Sequence, residues 1–536
     1  MSEPNYRVAI DEWRIFLGKD QVITERTELV SASLDTGPLA RRIPLILRPK
    51  CEKDVIALLR TAESHRVPIF PVSTGRNWGY GTSNPVRDGC ALVELSGMNR
   101  ILEFDQELGL VTLEPGVTQR QLRDYLEQRG LDFLVPVTGA GPDCSLIGNA
   151  LERGYGITPV ADHFTAVTRI RAILADGSVY DSPLSELGGE LIDRGFKWGV
   201  GPYIDGIFTQ GNVGIVTSMT IALAPRPENI VGFFFGISAE DRLEDAVAAI
   251  RHILRQTNGA TGSINLMNQR RVLSMIEPYP KELPSGHLIP DDALAAMAKR
   301  NQIMTWTGAG AIYGERGMVN AAKRIVKKEL KGIANRLVFF TPATSQRLFR
   351  WSNKVPGKLG VQAQNIFGTL EKTMSLLAGA PSEIAMPLSY WKSGTLPTPG
   401  NSFNPARDGC GLYWYSPLVP MVPAKVRQYT TMVDRVCREN QIEPLITLTS
   451  LSDKCWDSTV PILFDPKDAQ DTNRAKTCHR SLFEAGRQAG FVPYRSHIDT
   501  MDWFVDSDSG FWQTAAKIKD ALDPYGIIAP GRYSLR

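Results

Sequence analysis

Hydrophobic and polar residues alternate in two different ways along this chain, and the difference separates its first half from its second. Between Glu52 and His65 apolar residues recur at helical spacing, and the apolar run 67–73 follows directly. This pattern predicts a β-α-β beginning. Further strands are predicted at 91–95 and in the two apolar runs that flank Gln106.

Two local signals predict a helix start and a tight turn in the same half. Thr118 followed by Gln121 is a capping-box pattern, which predicts a helix that begins there and ends at Gly130. The Asp176-Gly177 pair within 169–182 predicts a β-hairpin, because both residues tolerate the backbone angles of a two-residue turn.

The pattern changes near residue 230, where longer helices separate fewer strands. Such an arrangement is typical of an α+β fold. The predicted helices are 240–257, 316–334, 423–440, 469–489 and 511–522, and the predicted strands are 230–238, 336–341, 411–418, 444–450 and 459–464.

Composition narrows the class of protein. With 43% hydrophobic and 22% charged residues among 536, the chain resembles ordinary globular proteins and is long enough for two large domains. Lys and Arg number 60 against 57 Asp and Glu, with no basic run, so nucleic-acid binding is not expected. No apolar stretch reaches the length of a membrane span, and no secretory signal is readable. We therefore expect a cytoplasmic protein without a membrane partner.

The cysteines agree with that compartment. There are seven, without a C-x-x-C pair and without the Cys/His spacing of a zinc site. A reducing environment and the absence of a metal are the resulting expectations.

One glycine-rich segment is a candidate for phosphate binding. The run from Ser73 to Gly81 carries three glycines within its last seven residues, which allows backbone N–H groups to approach an anion such as a nucleotide diphosphate. It is not the dinucleotide fingerprint, because Asn84 stands where the third glycine is needed. A second glycine series, Gly308, Gly310 and Gly314, is interpreted as a packing turn.

Five motifs stand in order along the chain: GRNWGYG (75–81), LEPGVT (113–118), IGNALERGYGITPVADHF (147–164), KWGVGPYIDGIFTQGNVGIVT (197–217) and DPYGIIAPGR (523–532). Together they resemble the vanillyl-alcohol oxidase and p-cresol methylhydroxylase family of flavoproteins. This resemblance implies an FAD-binding domain of α+β type formed by residues 1–228 and 499–536, with an α+β cap domain, residues 229–498, inserted between them. Shorter matches at 307–317 and 494–497 fall in that cap.

The resemblance also implies which residues contact FAD. Most belong to the glycine loop or to short segments rich in small residues, which would admit a diphosphate and present backbone groups to the flavin edge. The implied cofactor residues are Ser73, Gly75, Arg76, Asn77, Gly79, Pro115, Gly116, Gly148, Asn149, Arg153, Thr158, Gly214, Ile215 and Val216.

Three further residues match the branch of the family that acts on para-substituted phenols: Tyr80, Tyr494 and Arg495. In that branch they hold the substrate as a phenolate, and a hydride leaves the benzylic carbon for flavin N5 to give a quinone methide. A phenol has a pKa of about 10, and lowering it by ~3 units requires roughly 4 kcal/mol, which a guanidinium and two phenol donors can supply in a dry pocket. The implied partners are a small aromatic substrate and either oxygen or a redox protein as electron acceptor, with a homo-oligomer possible.

The sequence departs from the family at its known bases. Ala140 stands where the vanillin-forming oxidase has an aspartate, and Asp143 lies three residues away. Asp457-Ser458 replaces a histidine pair of the cap. His163 and His497 adjoin matched motifs, but a structural role is the expectation for both.

The same comparison predicts that FAD is held without a covalent bond. The residue at the bonding position of the cap strand is Leu412, which has no nucleophilic atom. The neighbouring Tyr413 would point to the other face of the strand, since side chains alternate.

Two alternatives remain open. The enzyme could oxidise a non-phenolic alcohol, a hydroxy acid or a natural-product intermediate with the same cofactor, although the two tyrosines and the arginine argue against it. The chain could also be a flavin-free binding protein on the same scaffold.

Overall fold

The computed structural model of this chain describes residues 4–280, 283, 287–393, 396–398 and 401–535. Residues 1–3 and 536, which bound the expected FAD-binding segments, lie outside the described residues. The helices are α1 Tyr6–Leu17, α2 Arg26–Ala32, α3 Glu52–Ser64, α4 Gln119–Gln128, α5 Leu146–Leu151, α6 Pro183–Glu186, α7 Ile192–Gly195, α8 Leu243–Gln256, α9 Gln269–Ile276, α10 Asp291–Asn301, α11 Arg316–Glu329, α12 Pro342–Ser352, α13 Gly357–Leu377, α14 Pro423–Glu439, α15 Ala469–Ala489 and α16 Gly510–Leu522.

The strands form two smaller sheets and one large sheet, with a short two-stranded pair besides. The strands are β1 Val22–Ile23, β2 Ile46–Leu47, β3 Ile69–Val72, β4 Ala91–Glu94, β5 Ile101–Asp105, β6 Leu110–Leu113, β7 Phe133–Leu134, β8 Val167–Leu174, β9 Val179–Tyr180, β10 Gly214–Ala222, β11 Ala224–Pro225, β12 Asn229–Ile237, β13 Asn265–Asn268, β14 Trp306–Gly314, β15 Arg336–Phe340, β16 Gly411–Tyr415, β17 Leu418–Pro420, β18 Thr447–Ser450 and β19 Cys455–Phe464.

The first sheet has the order β1-β2-β4-β3, and β2 and β3 both run parallel to β4. Helix α3 connects β2 to β3, which confirms the predicted β-α-β beginning. The apolar residues of α3, Val55, Leu58, Leu59 and Ala62, are fully buried against this sheet, as their helical spacing requires.

The second sheet has the order β5-β6-β10-β8-β9 and is antiparallel. The β8–β9 hairpin turns at Asp176-Gly177 as predicted. The capping box is also confirmed, because Thr118 accepts a hydrogen bond from the Gln121 amide and its own N–H donates to the Gln121 side chain.

The large sheet runs β15-β12-β14-β13-β18-β19-β16, and β17 also pairs with β19. The five helices predicted for this half are confirmed as α8, α11, α14, α15 and α16. Helices α9, α10, α12 and α13, and strand β13, were not expected from the pattern.

One interpretation of this half is wrong. Gly308 and Gly310 lie inside strand β14, not in a packing turn, and they pair with Phe235 and Phe233 of β12. A Cβ at Gly308 would lie 2.0 Å from the Phe235 ring, and one at Gly310 would lie 2.6 Å from the Phe233 ring. These glycines therefore make room for aromatic side chains on the neighbouring strand.

The C-terminal segment returns to the first sheet. Ile528 forms a parallel bridge with Ile69, and both residues are fully buried in the same apolar cluster. The Lys519 ammonium donates to the carbonyl of Asn212, which precedes β10. The division into 1–228, 229–498 and 499–536 stays a proposal, and these contacts support the placement of its last segment.

Within the described parts of the chain, no helix combines the length and the apolar character that crossing a lipid bilayer would require.

Candidate active site

A cavity of about 490 Å³ lies between the glycine loop and one face of the large sheet. Its first wall is formed by residues 70–77 at the end of β3, by segments between 137 and 157, and by the start of β10. Its second wall is formed by residues of β13, β16, β18 and β19. Tyr494 and Arg495, which follow α15, complete it.

The glycines of this loop and of α5 pack tightly against serine hydroxyls. Gly75 has φ +63°, and a Cβ there would lie 2.1 Å from the hydroxyl of Ser83. A Cβ at Gly148 would lie 2.8 Å from the hydroxyl of Ser73. The hydroxyl of Thr74 accepts the Ser145 amide at 3.2 Å, which joins the loop to the start of α5. Gly75 and Gly148 also line the cavity, and this glycine-lined cradle lets backbone N–H groups come close to an anion such as the diphosphate of a dinucleotide.

Ten of the fourteen predicted cofactor residues line this cavity, and four do not. Gly79 and Gly116 are packing positions, because a Cβ at Gly79 would meet the Trp414 ring and one at Gly116 would meet the Ser96 carbonyl. Arg153 donates to the Thr209 hydroxyl, and Thr158 is buried away from the cavity wall. The ten that line it are Ser73, Gly75, Arg76, Asn77, Pro115, Gly148, Asn149, Gly214, Ile215 and Val216.

The three predicted phenol-binding residues are brought together. The Arg495 guanidinium lies 3.8 Å from the centre of the Tyr80 ring, in cation–π geometry. Tyr494 is adjacent in the chain, and its ring meets Tyr155 edge-on. The Tyr80 hydroxyl shares a 2.6 Å hydrogen bond with Ser416.

Arg495 is held by polar partners but keeps one donor without a partner. Its Nη2 donates to Asn77 Oδ1 at 2.6 Å and lies 3.6 Å from Glu152. Its buried Nε has no hydrogen-bond partner among the described residues. A buried donor without a partner costs free energy unless a ligand accepts from it.

The same environment keeps the tyrosines protonated. Burial raises the pKa of Tyr80 to about 12, against the opposing effect of Arg495. Burial and the Asp457 carboxylate raise the pKa of Tyr494 well above its ordinary value. Burial lowers the pKa of Arg495, but Tyr80, Tyr494 and Glu152 raise it by more. The net effect is a raised pKa, so the guanidinium stays charged. The site thus offers one fixed cation and two phenol O–H donors.

Two acidic residues among those described line the cavity: Glu152, which forms an ion pair with Arg532, and Asp457. Asp457 lies on β19, is 5% exposed, and its Oδ1 has no hydrogen-bond partner among the described residues. Burial raises the pKa of its carboxyl to about 7, although Arg495 opposes the shift. A carboxyl with a pKa near neutrality and a free oxygen can take a proton from a ligand.

Asp457 could have been found from the sequence as a lone carboxylate within the apolar strand CWDSTVPILF. Its neighbour two positions on, Thr459, lines the same cavity, as strand alternation requires. A second residue missed by the sequence analysis is Arg271 of α9, which also lines the cavity and is 7% exposed.

The other candidate acid–base residues lie elsewhere. Ala140 lines the cavity, whereas Asp143 accepts a hydrogen bond from Arg120 on the protein surface. The His163 ring forms a 2.5 Å hydrogen bond with the Asn149 side chain, and burial lowers the pKa of His163 to about 4. His497 forms a 2.9 Å hydrogen bond with the Asp35 carboxylate in the protein interior.

Strand β16 presents Leu412 and Trp414 to the cavity. Tyr413 lies on the opposite face, stacked on Phe464 and His479. The register therefore agrees with the expectation that the side chain facing the cavity has no nucleophilic atom.

Comparison with known proteins now identifies the class. The family model described as an FAD binding domain matches residues 43–182. The chain is 32% identical over 530 residues to the 1'-carboxy-chondrochloren decarboxylase of Chondromyces crocatus, covering 98% of this chain and 97% of that protein. It is 27% identical to the 4-cresol dehydrogenase [hydroxylating] flavoprotein subunit of Pseudomonas putida, covering 99% and 96%.

A solved structure agrees over the whole fold. The crystal structure of p-cresol methylhydroxylase with substrate bound matches with a TM-score of 0.85 and 26% identity, covering 98% of this chain and 96% of that one. The chain belongs to the vanillyl-alcohol oxidase and p-cresol methylhydroxylase family, and it is an FAD-dependent oxidoreductase. The resemblance, the fold class and the cofactor predicted from the sequence are thereby confirmed.

We predict that the FAD is held without a covalent bond. Because Leu412 faces the cavity and Tyr413 does not, the strand offers no nucleophile to the flavin. Acid precipitation of the pure protein should therefore release yellow flavin into the supernatant. Colour that stays in the pellet, with a flavin-bearing peptide containing Tyr413, would contradict this prediction.

Proposed function

We propose that this enzyme oxidises a para-substituted phenol at the carbon attached to the ring. The observation that carries the proposal is the meeting of Tyr80, Tyr494 and Arg495 in one buried cavity. A phenol oxygen at this place would lie beside a fixed positive charge and two O–H donors, so its ionised form is favoured.

Arg495 is the main source of that preference. Its charge is buried and its Nε has no described partner, so a phenolate oxygen would both satisfy the donor and balance the charge. The tyrosines keep their own protons because their pKa values are raised, and they therefore act as donors to the phenolate.

Asp457 is the proposed acceptor of the phenol proton. The carboxylate acts on the pKa of both Tyr80 and Tyr494, which places it beside the phenol-binding groups. Its pKa near 7 makes it a base at neutral pH without making proton transfer to it strongly unfavourable. It would stand in for the histidine pair that the family has at this place.

The cofactor would be held by the ten cavity-lining residues that the sequence predicted, with its diphosphate in the cradle of Gly75 and Gly148. FAD supplies the two-electron acceptor for a hydride from the carbon next to the ring, which leaves the deprotonated substrate as a neutral quinone methide. Tyr80, Arg495 and Asp457 are all buried, so little bulk water reaches the reacting groups.

A second candidate function rests on one relative. The protein of Chondromyces crocatus is named a decarboxylase of a carboxylated compound, whereas that of Pseudomonas putida is named a hydroxylating dehydrogenase. Oxidation of a natural-product intermediate that carries a carboxyl group is therefore the alternative. Oxygen or a redox protein remains the proposed electron acceptor, and a cytoplasmic location and a homo-oligomer remain proposals.

The phenol requirement is tested by flavin bleaching without oxygen. We expect 4-cresol and longer 4-alkylphenols to reduce the flavin, and 4-methylanisole, which differs by a methyl on the phenol oxygen, to fail. D-lactate and glycolate should fail as well, because neither has a phenolate that can donate electron density to the carbon that loses the hydride. Equal bleaching by the methyl ether, or bleaching by the hydroxy acids alone, would refute the phenol proposal.

A further inference from the structure

Arg271 is a buried cation in the wall of the cavity. It lies on α9, is 7% exposed, and its Nε donates to the Thr447 hydroxyl at 3.1 Å. Its Nη1 is buried without a hydrogen-bond partner among the described residues. The neighbouring Arg270 is different, because it forms a 2.5 Å ion pair with Glu443.

No described carboxylate balances the charge of Arg271. Burial alone lowers the pKa of its guanidinium to about 10, with no acidic group acting in the other direction. Asp457 lines the same cavity, yet the charge that acts on its pKa is Arg495. An unpaired guanidinium in the interior is costly, so its retention beside a cavity points to an anionic ligand.

The sheet register shows where Arg271 stands relative to the phenol site. Thr449 lies opposite Asp457, and Thr447, which Arg271 contacts, lies opposite Thr459. Two residues along a strand correspond to about 7 Å. The hydroxyl that Arg271 contacts is thus displaced along the sheet from Asp457, so Arg271 and Asp457 line different parts of the same cavity.

We propose that Arg271 binds a carboxylate on the para substituent of the substrate, an inference that rests on the proposed phenol oxidation. The substrate is then a 4-hydroxyaryl compound with an acidic side chain. Its phenol oxygen lies at Arg495 and its carboxylate at Arg271.

The chemistry of this end favours a singly charged anion. Among the described residues that line this end, Arg271 is the cation, and the cross-strand pair beside it, Thr447 and Thr459, carries neutral hydroxyls. One guanidinium matches the charge and the planar shape of a carboxylate.

The test compares three ligands that lack a hydrogen on a saturated benzylic carbon and so bind without being oxidised by the proposed reaction. They are 4-hydroxycinnamate, its neutral amide and cinnamate, and the dissociation constants are read from the flavin spectrum of the holoenzyme. We expect wild type to bind 4-hydroxycinnamate at least tenfold more tightly than the amide. In Arg271→Met the ratio should fall to about one, and Arg271→Lys should keep part of it.

Arg251→Met is the matched control, because Arg251 lies outside the cavity and donates to the Met421 carbonyl. It should keep the wild-type ratio. If Arg271→Met does not retain FAD, Arg271→Gln gives the same comparison. A wild-type ratio near one, or a ratio that neither neutral variant lowers, would overturn the proposal.

Two further measurements, the melting temperature without ligand and the affinity for cinnamate, show whether the carboxylate proposal or the phenol proposal has failed. If Arg271 were only structural, Arg271→Met would lower the melting temperature without ligand, whereas removal of an unpaired buried charge should leave it equal or higher. If cinnamate binds as well as 4-hydroxycinnamate, the phenol proposal fails while the carboxylate preference still stands.

Discussion

Replacing Arg495 by alanine is expected to remove most phenol oxidation while the protein still binds FAD. The guanidinium is buried beside Tyr80 and stabilises an ionised phenol, so its loss raises the free energy of the reacting state. A desolvated charge contact of this kind contributes about 3–5 kcal/mol, which corresponds to a loss of roughly 10²- to 10⁴-fold in kcat/KM. Steady-state kinetics on 4-alkylphenols measures the loss.

The controls separate charge from packing. Arg495→Lys keeps the charge and should retain more activity than the alanine variant. Tyr80→Phe and Tyr494→Phe each remove one neutral donor and should cost about 1–2 kcal/mol. Because Arg495 also contacts Asn77 of the cofactor loop, the flavin spectrum of each variant must be recorded. Wild-type rates in all these variants would contradict the proposal that these three residues bind a phenolate.

Much of the fold could be predicted because its signals are local. Helix α3 follows from the spacing of Val55, Leu58, Leu59 and Ala62, and the start of α4 follows from a capping box that two residues complete. Strand β14 could not be predicted, because its glycines are needed to make space for the rings of Phe233 and Phe235 on another strand. The residue pattern of one segment gives no information about how much space the side chains of a neighbouring strand require.

The site divides in the same way. Tyr80, Tyr494 and Arg495 could be proposed because the motifs that carry them resemble a known family, and the structure then places them in one cavity. The sequence located Asp457 only as a replacement for a histidine pair and did not single out Arg271, since it shows neither the burial of these two side chains nor their lack of a partner. Both depend on the register of β18 and β19 and on the packing of α9 over that sheet.

Replacing Asp457 by asparagine should remove the pH dependence of the reaction near neutrality. The carboxyl has a pKa of about 7, so in the wild type kcat/KM should rise as the pH increases through 7 and the base becomes ionised. Asparagine cannot accept the proton, and we expect a loss of about 10²- to 10⁴-fold at pH 8. Asp143→Asn, at a surface carboxyl bonded to Arg120, is the matched control and should keep both rate and profile.

Asp457→Asn should lose activity at pH 8, but its thermal stability at that pH should increase relative to the wild type. The pKa of Asp457 is raised in the folded protein, so the protonated carboxyl favours folding at low pH, and this contribution disappears as the pH rises through about 7. A shift of this size corresponds to about 4 kcal/mol as an upper limit. Asp457→Asn should therefore gain melting temperature relative to the wild type at pH 8 more than at pH 5. An unchanged pH–rate profile together with a lower melting temperature at pH 8 would show that Asp457 has a structural role and is not the base.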